Sequence, residues 1–469
     1  MKKTICALLT LALLLACFVS CGKPVNPDLS TDDEGNVVGT ITVWGGSTPF
    51  HENYALGSVQ GNNYDPDCDT SNGFIKKIKE KYPKLNVNIE NKGFGTELNT
   101  ALRNAKISNN MPDIVVGEQF IQSQIELNYF EPLEIPEATK KAIPDSLWSL
   151  SRGKDGKQYG YPAMTGTFAL IYNKKIFREV YNLDQNADVT EYLPQSMDEI
   201  VEKAAYIKEF YNTKYGANSV KARNISGFYI NAVKGVGSAY RNGLVMNMFG
   251  GGFTDKNGNF IVDCEENVKA FKWLTSLLPY TSTGNIATTN ETDVNTTILT
   301  GNVAMCFEIA PLLAPFGGIS VDDFGVTSLP VADGQKETNF LVGSTSYMIT
   351  KECSNKKVAQ DILEMMVSYD MQMQIYKTST NRIPVRSDVI DEILSSTDED
   401  IVKKNETMLP FVLALKTADN LVLNLPSFTK NYTNIWDTWS NAIQMIFTQK
   451  TDSTIRTQLG NVQKIMSGK

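Results

Sequence analysis

The 469-residue chain contains a single histidine, His51. One imidazole cannot build a HExxH zinc helix, a histidine-based nucleophile triad or a multi-histidine metal site. No GxxxxGK[ST] segment occurs, and Gly235-Val-Gly237 lacks the third glycine and the preceding strand of a dinucleotide fingerprint. If a nucleotide drives this system, it does so on another chain. Positive charge is in deficit, with 44 basic against 52 acidic residues, which argues against a nucleic-acid partner. The seven cysteines fit no metal-ligand spacing, and no internal repeat or low-complexity block is present. What these absences leave open is a glycosidase, which needs only two carboxylates flanking a sugar.

The N-terminus has a short apolar run, Ile5 to Val19, behind Lys2 and Lys3 and ahead of Ser20-Cys21-Gly22. That run is too short to span a bilayer stably, and residues 1–20 are read as a signal peptide. Val19-Ser20-Cys21 resembles a lipobox, in which the cysteine is thioether-linked to diacylglycerol and becomes the new N-terminus. Leu15-Ala16-Cys17 competes less well, because apolar Phe18-Val19 would follow the cut. The plainer alternatives are an ordinary secreted protein or an N-terminal anchor helix. Losing the signal removes two lysines and no acid, so 42 basic residues would face 52 acidic ones, a net of −10. Residues 21–39, polar and punctuated by Pro and Gly, are expected to be a flexible, lipid-anchored tether. Cys6 and Cys17 would leave with the signal, and Cys21 would be acylated. Export merely permits Cys68, Cys264, Cys306 and Cys353 to pair, and most are read as small buried hydrophobes.

With 42% apolar and 20% charged residues the chain can bury a large core, and its length suggests two or three domains. Ile41 and Val43 alternate as in a strand, and Phe74 to Tyr82 reads as a helix stopped by Pro83. Leu85–Ile89 alternates again, a helix carries Leu98, Ala101, Leu102 and Ala105, and Asp113–Gly117 is a short buried strand. Such β-α-β-α-β order implies a parallel sheet with helices on both faces, whose ligand lies beyond the carboxyl ends of the strands. Residues 45–72, with Phe50, His51, Tyr54 and Tyr64, emerge at that end and could form part of a wall.

Further on, Asp155-Gly-Lys-Gln-Tyr-Gly-Tyr-Pro162 is a turn and a short aromatic strand ended by proline. A second apolar run, Phe168 to Tyr172, follows with only a small-residue bridge between. Two strands with no helix between them suit a chain crossing from one domain to another, so residues 163–167 are read as a hinge. Ser196-Met-Asp-Glu199 is a capping box for a helix reaching about Tyr211, and Asp263-Cys-Glu-Glu266 is read as another. Asn355 to Tyr369 is amphipathic, and Ile435 to Ile465 reads as two helices, with Trp436, Trp439, Ile443 and Phe447 on the first.

The order "GK-YG-P, small polar bridge, apolar-Tyr-Asn-Lys", with Trp44 after the first strand, Lys81-Tyr-Pro83 and Met111-Pro-Asp-Ile-Val-Val-Gly117, resembles the solute-binding proteins of bacterial ABC importers. The resemblance is to the large carbohydrate-binding family that includes maltodextrin-binding proteins. Phe249-Gly-Gly-Gly-Phe253, Thr300-Gly-Asn-Val-Ala-Met305, Ser328-Leu-Pro330, Phe340–Gly343 and Asn381–Val385 follow in the same order. It implies a two-lobed periplasmic-binding-protein-like α/β fold, each lobe a doubly wound, mostly parallel sheet. Lobe one would be residues 40–165 plus 344–388 and lobe two 166–343 plus 389–469, with the chain crossing back near Leu341–Thr345. The function implied is capture of a carbohydrate between the lobes and delivery to membrane permease subunits, by a monomer without cofactor or metal, at the extracytoplasmic face of the cell membrane.

Candidate ligand residues are Trp44, Glu118, Gln119, Thr165, Glu308, Tyr432 and Trp436, with Cys21 as the lipidation site. Glu118 and Gln119 follow the third strand directly, where planar polar groups suit sugar hydroxyls; a helix N-terminal turn would equally favour an acid. The Trp44 indole could stack on a pyranose or seal the sheet edge. Glu308 stands where the family carries a ligand-facing turn with Trp, and Tyr432 and Trp436 where it supplies stacking aromatics, although core packing competes for Trp436. Competing expectations are a lipid-anchored glycoside hydrolase, needing paired carboxylates across the cleft, and a surface adhesin with a large apolar patch.

Overall fold

In the computed structural model the described residues are 29–45, 59–60, 63–64, 74–93, 96–117, 121–230, 236–255, 257, 259–282, 298, 300–310, 323–378, 382–416 and 432–468. Strands are β1 Ser30–Thr31, β2 Val37–Trp44, β3 Val59–Gln60, β4 Asn63–Tyr64, β5 Leu85–Glu90, β6 Ile114–Gly117, β7 Gly160–Gly166, β8 Phe168–Asn173, β9 Met305–Ile309, β10 Phe324–Thr327 and β11 Gly343–Ile349. The helices needed below are α1 Phe74–Lys81, α2 Thr96–Ile107, α3 Met197–Tyr215, α4 Val236–Met248, α5 Glu265–Ser276, α6 Lys356–Met366, α7 Tyr369–Thr378, α8 Ser387–Ser395, α9 Glu399–Lys416, α10 Tyr432–Gln449 and α11 Asp452–Met466.

Two sheets carry the two lobes. The larger runs β1-β2-β6-β11-β7, with β5 on β2. Its β5-β2-β6 portion is parallel, as β-α-β-α-β order demands, because α1 and α2 make the crossovers. Phe74, Ile75 and Ile78 of α1 and Leu98 and Leu102 of α2 point into its core, in the expected positions. The smaller sheet, β10-β8-β9, is antiparallel at both of its pairings, and β11 meets β6 and β7 antiparallel as well. The two-lobed α/β architecture is the one expected, but the direction of the strands is more mixed than mostly parallel. Apolar runs of four to seven residues look alike in either direction, so the sequence could not distinguish them.

The sheets are joined at Thr167, the single residue between β7 and β8. Ala163 to Gly166, read as hinge, belong to β7 and pair with β11 as far as Gly166↔Gly343. The next pair, Phe168↔Ile309, lies in the other sheet. On the returning chain Leu341 packs into the lobe-two core and its neighbour Val342 into the lobe-one core. Each such burial is worth about 1.5–3 kcal/mol, so a one-residue slip at this crossing would misplace both side chains.

Two boundaries differ from expectation. Residues 30–38 are not tether: β1 folds back on β2 through a turn in which Asp32 accepts the amides of Glu34 and Asn36, with Gly35 at φ 85°. Lys84 beside Asp32 holds its carboxyl down to about 2. The polar composition that suggests a tether here serves a hairpin turn and an ion pair; residues 21–28 lie outside the described residues. The second difference is at residue 389. Val389, Ile390 and Ile393 of α8 and Ile401 of α9 bury in the lobe-one core. Helix α9 then bridges: its Met408, Phe411, Val412 and Leu415 are buried, and it packs against β8 and β10. The face of the small sheet bearing Ala169, Ile171 and Cys306 shares that core, and Phe168, Leu170 and Phe307 point the other way. An amphipathic helix can dock on either lobe, so periodicity alone did not place the boundary.

Local signals held elsewhere. Ser196 caps α3, its Oγ accepting Glu199 N–H at 3.2 Å, while the Glu199 carboxylate reaches one residue further back than the capping box expects and accepts Gln195 N–H at 2.8 Å. Asp263 is not the cap of α5, because Cys264 holds the N-cap position and makes no side-chain cap bond. Asn355 caps α6, and α10 and α11 are separated at Lys450.

Candidate functional site

The register defines an edge where both sheets end. Trp44 closes β2, level with Glu90 and Val115. Gly117 closes β6 opposite Ser346, and Gly166 closes β7 opposite Gly343, the first residue of β11. Beyond the single residue Thr167 the small sheet begins, with Phe168 opposite Ile309 at the end of β9 and Glu308 opposite Ala169. The carboxyl ends of β2, β6 and β7 therefore approach the carboxyl end of β9 across Thr167. Ligands of open α/β sheets sit beyond such ends, and here the two lobes contribute ends to one place.

Trp44 is 7% exposed and belongs to the lobe-one core. Lys92 Nζ sits 4.8 Å from its ring centroid and 2.7 Å from a Glu90 carboxylate oxygen, so one part of the indole surface is taken by a cation. Thr165 is 6% exposed, and its polar groups are used internally. The amide donates to Ile383 O at 3.1 Å and Oγ1 to Gly343 O at 2.9 Å.

Glu308 is brought to the edge, but its carboxylate is engaged. Arg241 of α4 meets it with Nε at 2.5 Å and Nη2 at 3.0 Å, a two-pronged pair whose side chains are 10% and 2% exposed. Sequence reading missed Arg241. The buried positions of α4 mix apolar Ala239, Leu244, Val245, Met246 and Met248 with polar Ser238, Asn242 and Asn247, so no one-sided polar stripe marks the arginine out. Glu118 and Gln119 lie outside the described residues, as do Phe50, His51, Tyr54 and Cys68. Tyr432 and Trp436 are on the first two turns of α10, and their side chains likewise lie outside the described set. Two residues beyond Trp436 in the same helix comes Thr438 and then Trp439, which is wholly buried and donates its indole N–H to Ser238 Oγ at 3.2 Å.

Cys264, Cys306 and Cys353 are free thiols. Burial pushes the Cys306 thiol well up and that of Cys353 to about 12, so neither is a thiolate nucleophile near neutral pH. No group of three or more His, Cys, Asp or Glu among the described residues is placed to hold a metal ion, and no described helix is long and apolar enough to cross a membrane.

The chain belongs to the bacterial extracellular solute-binding protein family, whose model matches residues 73–409. No curated protein sequence matches it. Solved structures share the fold at low identity. The GacH receptor of Streptomyces glaucescens GLA.O, described unliganded and in complex with acarbose, is 18% identical with a TM-score of 0.67, covering 91% of this chain and 98% of its own. An ABC transporter solute-binding protein from Thermotoga lettingae, bound with alpha-D-tagatose, is 21% identical with a TM-score of 0.67, covering 91% and 99%. The cyclic alpha-maltosyl-1,6-maltose binding protein of Arthrobacter globiformis is 18% identical with a TM-score of 0.67, covering 92% and 99%. The family and these structures are substrate-binding proteins rather than enzymes.

Proposed function

We propose that this protein captures a sugar or oligosaccharide between its lobes and delivers it to the permease subunits of an ABC importer, acting as a monomer that performs no turnover. The observation that carries the reading is the meeting of both sheets' carboxyl ends across Thr167, in a family of solute receptors whose solved relatives are described with sugars bound. Trp44, Glu118, Gln119, Tyr432 and Trp436 would meet the ligand directly. Thr165 and Glu308 would act by holding the edge, since Gly343 and Arg241 already engage their polar atoms. Affinity of the micromolar order, about −8 kcal/mol, suits capture and release.

A thermal-shift screen against acarbose, maltotetraose, tagatose and other mono- and oligosaccharides tests this, because a ligand that binds only the native state raises its stability by about 2.7 kcal/mol at a hundredfold excess over the dissociation constant. At least one sugar is expected to raise the melting temperature without release of reducing ends. Protein-proportional release of reducing sugar from a bound oligosaccharide would favour a glycoside hydrolase instead.

The anchoring belongs to the same proposal. A lipid on Cys21 would hold the receptor at the outer face of the membrane, with the polar residues after it as a short tether. Cys21→Ala is expected to move the protein from membrane to soluble fractions, and a variant that stays with the membranes would refute the lipoprotein reading.

A further inference from the structure

The chain that crosses back between the lobes is gripped residue by residue. Phe340 O accepts from Asn247 Nδ2 at 3.3 Å, Leu341 O from Thr167 Oγ1 at 3.2 Å, and Gly343 O from Thr165 Oγ1 at 2.9 Å. The grip passes from lobe two, through the other crossing, to lobe one. At its end, lobe two touches lobe one directly. A Cβ added to Gly343 would lie 2.2 Å from the Tyr240 hydroxyl oxygen and 3.0 Å from Tyr240 Cζ. Tyr240 comes from α4 of lobe two, and its ring packs on Phe168, the first residue of β8, with centroids 5.1 Å apart. One side chain thus spans the first residues of both strands that leave the crossings.

We propose that Tyr240 is a positioning residue that sets the angle between the lobes, with its hydroxyl seated on the bare Cα of Gly343 as a stop. The absence of a side chain at 343 allows that approach, and no other residue type would. The stop requires that the half-buried ring be held by its packing on Phe168, so that an obstacle at 343 displaces lobe two as a body rather than rotating the tyrosine aside. Thr167, bonded to Leu341 O, holds the two crossings side by side while the angle changes. The inference concerns the ligand-free protein and stands whatever solute is bound.

Small-angle scattering of ligand-free protein tests it, with wild type, Gly343→Ala, and Gly343→Ala combined with Tyr240→Phe, beside melting curves for each. Gly343→Ala is expected to shift the radius of gyration and the interlobe distance distribution. Adding Tyr240→Phe, which removes the atom at 2.2 Å, should return most of that shift. A Gly343→Ala protein that scatters as wild type, or a shift that survives Tyr240→Phe, would overturn the proposal. If Gly343→Ala alone does not fold, folding of the double variant identifies the clash with Tyr240 and supports the stop. Failure of both means that the glycine is required for another reason, and the proposal falls.

Discussion

Replacing Arg241 by Met is expected to cost about 3–5 kcal/mol of stability, because it strands the Glu308 carboxylate, 2% exposed, without its counter-ion. The penalty is that of an uncompensated buried charge, so the double variant Arg241→Met with Glu308→Leu should recover most of it; paired apolar replacements of a buried ion pair are often neutral. Urea unfolding of the two single variants and the double measures the effect directly. Near-additive losses, with the double variant least stable, would show that the pair is not coupled as its geometry requires.

Trp44→Ala should act first on the fold. A tryptophan at 7% exposure within the lobe-one core leaves a cavity when truncated, at about 3–5 kcal/mol. If the indole also forms a wall of the ligand site, affinity falls by about 1–3 kcal/mol as well, ten- to hundredfold. Calorimetric titration at a temperature where the variant remains folded, using the sugar that stabilises wild type, separates the two effects. An unchanged melting temperature would contradict the burial, and an unchanged dissociation constant would confine Trp44 to the core.

Much of lobe one could be read from the chain, because its strands and helices alternate with strong period and end at Pro83 and at Asn109-Asn-Met-Pro112. The crossing at Thr167 was legible for a simpler reason: two apolar strands stood with no helix to join them. What stayed hidden depends on partners distant in sequence. Glu308 reads as a free carboxylate beside a ligand until Arg241, 67 residues earlier, is seen to hold it. Thr165 reads as a polar hinge residue open to ligand until its hydroxyl is seen to donate to Gly343 O. Helix α8 carries a clear amphipathic face in Val389, Ile390 and Ile393, whereas α9 leaves Val402, Leu409 and Leu413 exposed beside its buried Ile401, Met408, Phe411, Val412 and Leu415, so the choice of lobe rests on the opposing surface rather than on their own pattern. The antiparallel small sheet likewise depends on which strand lies next to which, a fact that five-residue apolar runs do not encode.

The central claim, capture of a sugar between lobes that close on it, is tested most directly by scattering from the wild-type protein with and without a saturating amount of the sugar that raises its melting temperature. Closure follows from contacts that the ligand makes only in the closed state, so the radius of gyration should fall on saturation, and the dissociation constant taken from that fall should match calorimetry. A sugar that binds by calorimetry while the scattering curve stays unchanged would contradict capture between moving lobes.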